Sequence, residues 1–171
     1  KITGAIPKLV SGLSDKGWNH AAQGIMTTDL VSKMAEVRYK EGKKEIVLAG
    51  IAKGSGMIHP NMATMLAFIV TDAVIDKKTL SLALKEANHR TFNRITVDGD
   101  TSTNDMALLL ANGKAENTNI RVGSSAYNKF VEKLTALCLY LAHKIVLDGE
   151  GATKFVTIKV QGAKVKTHAY R

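Results

Sequence analysis

Residues 52–70 read AKGSGMIHPNMATMLAFIV, and the side chain in this stretch best suited to covalent chemistry is Thr64. A threonine hydroxyl is hardly ionised near neutral pH, so it attacks a carbonyl only when a neighbouring base takes its proton. A chain broken just before the threonine supplies that base itself, because the freed α-amine titrates near about pH 7.8. Ala63 is small, and Gly54 and Gly56 lie upstream, a composition that lets the Ala63–Thr64 carbonyl turn toward the threonine hydroxyl. The same residues also read as a plain turn through Pro60 entering a strand, and composition permits both.

Other signatures fail on spacing. Gly50 to Gly56 contains Lys53 but not the G-x-x-x-x-G-K-[ST] order of a phosphate loop. DGDTSTND opens at Asp98 like a calcium loop, yet Thr103 stands where glycine is needed and Leu109 where glutamate is needed. Its acidic and hydroxyl groups are better suited to tying a loop together. His20, His59, His89, His143 and His168 show no metal-ligand spacing. The single cysteine, Cys138, lies in the apolar run LTALCLYLAHKIV and is expected to be a core thiol.

The elements that would position Thr64 follow from periodicity. After a flexible opening, KITGAI, helical spacing covers residues 6–13, and a second short helix is expected over 16–26. Residues 34–39 and 45–52 flank EGKK as a β-hairpin. Residues 64–71 have the length and composition of a buried strand. Asp76 is placed to cap a helix whose Leu80, Leu84, Ala87 and Thr91 share a face. A short strand is expected at 95–97, and 106–111 is another apolar run, closed by Asn112-Gly113. Ser124 or Ser125 starts a long helix with Phe130, Leu134, Leu137, Leu141 and Ile145 as its apolar stripe, ending at Asp148-Gly149, and 155–160 alternates as a last strand. This mixture of hairpins and helices is α/β of the mixed α+β kind.

At 171 residues the chain suits one domain, spanning 1–171, and 45 % apolar content is that of an ordinary globular protein. No apolar run reaches the roughly 20 residues of a membrane span. The net charge of +9 invites a nucleic-acid reading, but the cations are scattered and aromatics make up only 5 %, so a solvated surface is the better account.

The segment KGSGMIHPNMATMLAFIVTDA resembles the self-cleavage region of the glutamate N-acetyltransferases, also called ornithine acetyltransferases. AAQGIMTTD, FNRITVDGDTSTND, LLLANG and LAHKIVLDGEGATKFV resemble further blocks of that family in the right order, together covering about residues 5–162. The resemblance implies an α/β sandwich of the ornithine acetyltransferase/DmpA type, with an Ntn-hydrolase-like mechanism. It implies self-cleavage between Ala63 and Thr64 into an α segment (1–63) and a β segment (64–171). Thr64 would then be the nucleophile of a ping-pong transfer of acetyl from N-acetylornithine to glutamate, in arginine biosynthesis. Substrate contacts carried over from the family fall on Thr27, Lys53, Thr64 and Glu150. Read without the family, Lys53 is a loop lysine in water and Glu150 a brace for the turn after the long helix.

The resemblance further implies no cofactor, with acetyl-CoA left open as an alternative acetyl donor. It implies a cytoplasmic enzyme acting on small molecules, associated α and β segments, a dimer of such pairs, and no nucleic-acid or membrane partner. The DmpA-type aminopeptidases offer an alternative activity on the same architecture, and a catalytically inactive fragment is another alternative. The family's upstream S-T-G-type turn, whose threonine and glycine form the oxyanion hole, has no counterpart in these residues. C-terminal Asn and Thr contacts are likewise unmatched, and Leu30 stands where the family usually has another threonine after MTTD.

Overall fold

The computed structural model describes residues 2–59, 65–100 and 102–165. Two helices open it, α1 (Ile2–Ser11) and α2 (Trp18–Gly24). The expected hairpin forms from β1 (Lys33–Glu41) and β2 (Lys44–Lys53), with Glu41 paired to Lys44 across a two-residue turn. Gly42 opens that turn at φ +60°, a conformation that a side chain would oppose.

β3 (Leu66–Thr71) pairs antiparallel with β2, and β4 (Met106–Ala111) pairs parallel with β3, giving the sheet order β1-β2-β3-β4. A parallel pair cannot close through a tight turn and needs a crossover. Here α3 (Lys77–Arg90) lies in it, started by the Asp76 carboxylate, which accepts from the N–H groups of Lys78 at 2.9 Å and Thr79 at 3.0 Å. α4 (Ser125–Leu147) is capped by Ser124 and packs on α3, β1 and β2. Its stripe of Phe130, Leu134, Leu137, Leu141 and Ile145 is buried, as the spacing predicts. Cys138 shares this core, and burial pushes its thiol up to about 12, leaving essentially no thiolate at neutral pH. The described residues are thus a mixed α+β unit of one sheet under one helical layer. On the far face of the sheet Val70, Met106, Leu108 and Leu110 stand exposed.

Four expected boundaries or elements differ. The first helix begins at Ile2, through the opening read as flexible, because the apolar spacing of Ile2, Ile6 and Leu9 already has the helical period. The second is shorter than expected, since only Ala22 of it is buried and little tertiary packing holds its ends. Residues 95–97 form no strand: Val97 donates to the Ile58 carbonyl at 2.9 Å and Thr96 Oγ1 to the same oxygen at 2.8 Å, an isolated loop contact. Residues 155–160 alternate in sequence but form no ladder among the described residues; Val156 and Ile158 are 71 % and 86 % exposed. Alternation makes a strand only where a partner edge is present.

α4 can lie flush on β2 because Gly50 has no side chain. A Cβ there would sit 3.0 Å from Leu137 Cδ2, 3.1 Å from Leu141 Cδ1 and 3.3 Å from Ile69 Cγ1. Gly50→Val therefore overpacks the sheet–helix contact and is expected to cost about 1–3 kcal/mol. Thermal unfolding of the variant should show a correspondingly lower midpoint, and an unchanged midpoint would refute this packing.

Candidate active site

The C-terminal end of β2 delivers Lys53, which is 7 % exposed, into the short loop 54–58. Lys53 Nζ donates to Thr27 Oγ1 at 3.1 Å and makes no ion pair among the described residues. Its stem is buried, and its charge acts on the nearby Asp105 carboxyl without a salt bridge between them. Thr27 comes from the loop between α2 and β1. Beside it, Thr28 Oγ1 and Ser55 Oγ share a 2.6 Å hydrogen bond.

Each glycine of the loop has a separate reason. Gly54 adopts φ +149° and its N–H donates to Asp29 Oδ1 at 2.7 Å. Gly56 leaves room for a carboxylate: a Cβ there would come 2.7 Å from Glu150 Oε2. Glu150 in turn donates its backbone N–H to the Ser55 carbonyl at 2.6 Å, so the turn after α4 is stitched to the loop after β2. Thr27, Lys53 and Glu150, 123 residues apart at their extremes, are therefore gathered around five loop residues. Ala63 and Thr64 lie outside the described residues. Met65, which follows, donates its N–H to Asp105 Oδ1 at 2.6 Å, and Leu66 pairs with Lys53 on one side and Met106 on the other.

A buried cation fastens these pieces, and sequence reasoning does not find it. Lys33, the first residue of β1, is 1 % exposed. Its Nζ lies 2.6 Å from Asp29 Oδ1 and 2.6 Å from Asp148 Oδ2, and it also donates to the Val31 carbonyl at 3.2 Å. Asp29 holds Gly54 and also accepts the Thr27 N–H at 3.2 Å; Asp148 accepts the N–H of Leu30 at 3.0 Å. Burial alone would raise the Asp29 carboxyl, but the Gly54 N–H, the Lys33 ammonium and the Thr27 N–H together hold it below the ordinary aspartate value. Asp148 caps the C-terminus of α4, where helix dipoles disfavour a negative charge, and Lys33 offsets that.

DGDTSTND does tie a loop, as its composition predicts. The Asp98 carboxylate accepts the N–H groups of Met57, Ile58 and Asp100. Burial opposes its charge, yet those donors hold the carboxyl below the usual range. Met57 is kept at φ +51°, a left-handed conformation disfavoured by its side chain. Asp105 and Asp98 belong to one polar run in the sequence, where nothing distinguishes the residue that will face β3 from the residue that will hold the loop.

Removing the Lys33 cation leaves two carboxylates buried against one another. Lys33→Met is expected to cost about 3–5 kcal/mol, whereas the uncharged combination with Asp29→Asn and Asp148→Asn should recover most of it. Urea denaturation of the variants checks this; a single variant as stable as the parent would show that the cluster carries no strain of that kind.

The sequence model described as "ArgJ family" matches residues 1–171. The arginine biosynthesis bifunctional protein ArgJ of Symbiobacterium thermophilum is 49 % identical over 169 residues, covering 99 % of this chain and 42 % of that protein. The protein of the same name from Neisseria meningitidis serogroup A is 51 % identical over 171 residues, covering 99 % of this chain and 41 % of its own length. The crystal structure of ArgJ from Bacillus halodurans is 49 % identical over the aligned part, covering 48 % of this chain and 39 % of that one, with a TM-score of 0.47. The chain thus spans about two fifths of the length of the relatives named. The model matches the whole chain and the relatives are about half identical to it along nearly all its length, so the chain belongs to the ArgJ family.

Proposed function

We propose that this chain carries the threonine-nucleophile centre of a glutamate N-acetyltransferase. The observation that carries the reading is the convergence of Thr27, Lys53 and Glu150 on the loop after β2, in a chain of the ArgJ family. The Thr64 hydroxyl attacks the Ala63 carbonyl; the C–N bond breaks, an ester to Oγ forms, and the hydroxyl proton ends on the nitrogen. Water then hydrolyses the ester, leaving a carboxylate on Ala63 and a free α-amine on Thr64.

In the transfer cycle that amine takes the hydroxyl proton as Thr64 Oγ attacks the acetyl carbonyl of N-acetylornithine. Ornithine leaves with the proton, and the amine of glutamate attacks the acetyl-threonine in the second half. Lys53 holds a substrate carboxylate, Thr27 orients Lys53 and reaches the same ligand, and Glu150 pairs with the side-chain ammonium of the ornithine moiety. Acetyl transfer of this kind needs no cofactor; acetyl-CoA is an alternative donor. The α and β segments stay associated, two such pairs form a dimer, and the reaction runs in the cytoplasm. No helix of the described residues is long and apolar enough to cross a membrane.

The mass of the purified protein under denaturing conditions tests the first step. Two species are expected, residues 1–63 and 64–171, the second starting at Thr64, and Thr64→Ala should give one intact mass. A splitting Thr64→Ala variant would exclude Thr64 as nucleophile. In the transfer assay Lys53→Met is expected to raise KM roughly 10- to 150-fold, the loss of one charge-assisted hydrogen bond. A change confined to kcat would instead place Lys53 in the chemistry.

A further inference from the structure

Among the described residues the Glu150 carboxylate accepts no hydrogen bond and joins no ion pair, although the backbone that carries it is tightly held. The Glu150 N–H donates to the Ser55 carbonyl at 2.6 Å, and the Ala152 N–H donates to the Gly149 carbonyl at 2.9 Å. Gly149 is packed on both sides: a Cβ there would lie 2.9 Å from the Val146 carbonyl oxygen and 3.0 Å from Val97 Cγ1. The turn after α4 has little room to back away from the loop after β2, so a group pressing on Glu150 from that loop moves its side chain.

Gly56 stands where such a group would be. A Cβ on it would come 2.7 Å from Glu150 Oε2 but 3.6 Å from Asp98 Oδ2, an ordinary contact. Gly54 needs glycine for its φ of +149°, whereas Gly56 has no left-handed φ to explain it. Space is the remaining reason: the carboxylate oxygen lies where any other residue type would put its first side-chain carbon. We infer that Gly56 is a positioning residue for the acetyl donor. Its missing side chain seats the Glu150 carboxylate where the ammonium of the ornithine moiety is met, and so sets the preference for a donor with a cationic chain over one without. The inference rests on the pairing of Glu150 with that ammonium proposed above and deepens it.

Distance decides how much the seat matters. Ordinary contact with a Cβ begins near 3.4 Å, so a methyl group at position 56 displaces Glu150 Oε2 by about 0.7 Å or more. The useful donor–acceptor range of an N–H···O bond is only about 0.5 Å wide. A single methyl group thus draws the carboxylate out of hydrogen-bond register while leaving its charge in place.

The test compares two acetyl donors, N-acetylornithine and N-acetylnorvaline, which has the same carbon skeleton without the terminal amine. The ratio of their kcat/KM values would be measured for the parent, Gly56→Ala, Glu150→Gln and the double variant, with circular dichroism following the fold. The parent is expected to favour N-acetylornithine, and Gly56→Ala to lose that preference roughly tenfold, the lower range for a charged hydrogen bond. In the Glu150→Gln background, Gly56→Ala should leave the ratio where Glu150→Gln alone puts it, because the two changes act on one contact. A ratio unchanged by Gly56→Ala, including one in which both donors slow alike, would overturn the role. So would a further loss of preference in the Glu150→Gln background, which would show Gly56 acting by another route. A Gly56→Ala chain that fails to fold would also contradict it, since only the far end of one side chain has to yield. A parent that transfers acetyl without favouring N-acetylornithine removes the Glu150 pairing and this role with it, and a parent that transfers none removes the proposed activity itself.

Discussion

One ammonium, that of Lys33, sits where three parts of the chain must meet. It cannot be hydrated at 1 % exposure, so its stability depends on both carboxylates beside it being charged and in place. Asp29 brings the loop before β1 and the N–H of Gly54; Asp148 brings the end of α4. Satisfying the cation thus sets the distance between the MTTD loop, the glycine loop and the turn that bears Glu150. A buried ion cluster of this kind contributes less to net stability than an apolar core of equal volume, but it tolerates little displacement of any member. Placement of the three candidate substrate contacts follows from that intolerance.

Around this point the polar groups divide the labour. Asp98 holds the backbone of Met57 and Ile58, Asp105 holds Met65, and Asp29 holds Gly54. Three aspartates thereby fix both ends of the segment that runs from β2 to β3, while α4 and Gly50 fix the sheet beneath it. Outside these bonds, Lys53 Nζ donates to Thr27 Oγ1 and the Glu150 carboxylate lies against Gly56.

Local signals were legible and distant ones were not. Asp76 and Ser124 declare their helices because a capping side chain bonds N–H groups two or three residues away. The α4 stripe reads directly because burial on one face imposes the helical period. Thr27, Lys53 and Glu150 were reached through resemblance, since a loop lysine and a post-helix glutamate look the same whether solvated or employed. The Lys33–Asp148 pair spans 115 residues, and no periodicity encodes it. Residues 155–160 show the converse failure: the pattern is present, and the neighbour that would turn it into a strand is not among the described residues.

The position of β3 in the sheet bears on the molecularity of refolding. It lies inside, with β2 on one edge and β4 on the other, and α4 lies across β1 and β2. A break before Thr64 leaves β1 and β2 on one polypeptide, and β3, β4, α3 and α4 on the other. Neither piece would hold a closed core, so a cut at that point would have to follow folding of the intact chain. For a chain so cut, recovery from denaturant would be a second-order encounter whose yield depends on protein concentration, where the uncut chain would fold at a rate independent of it.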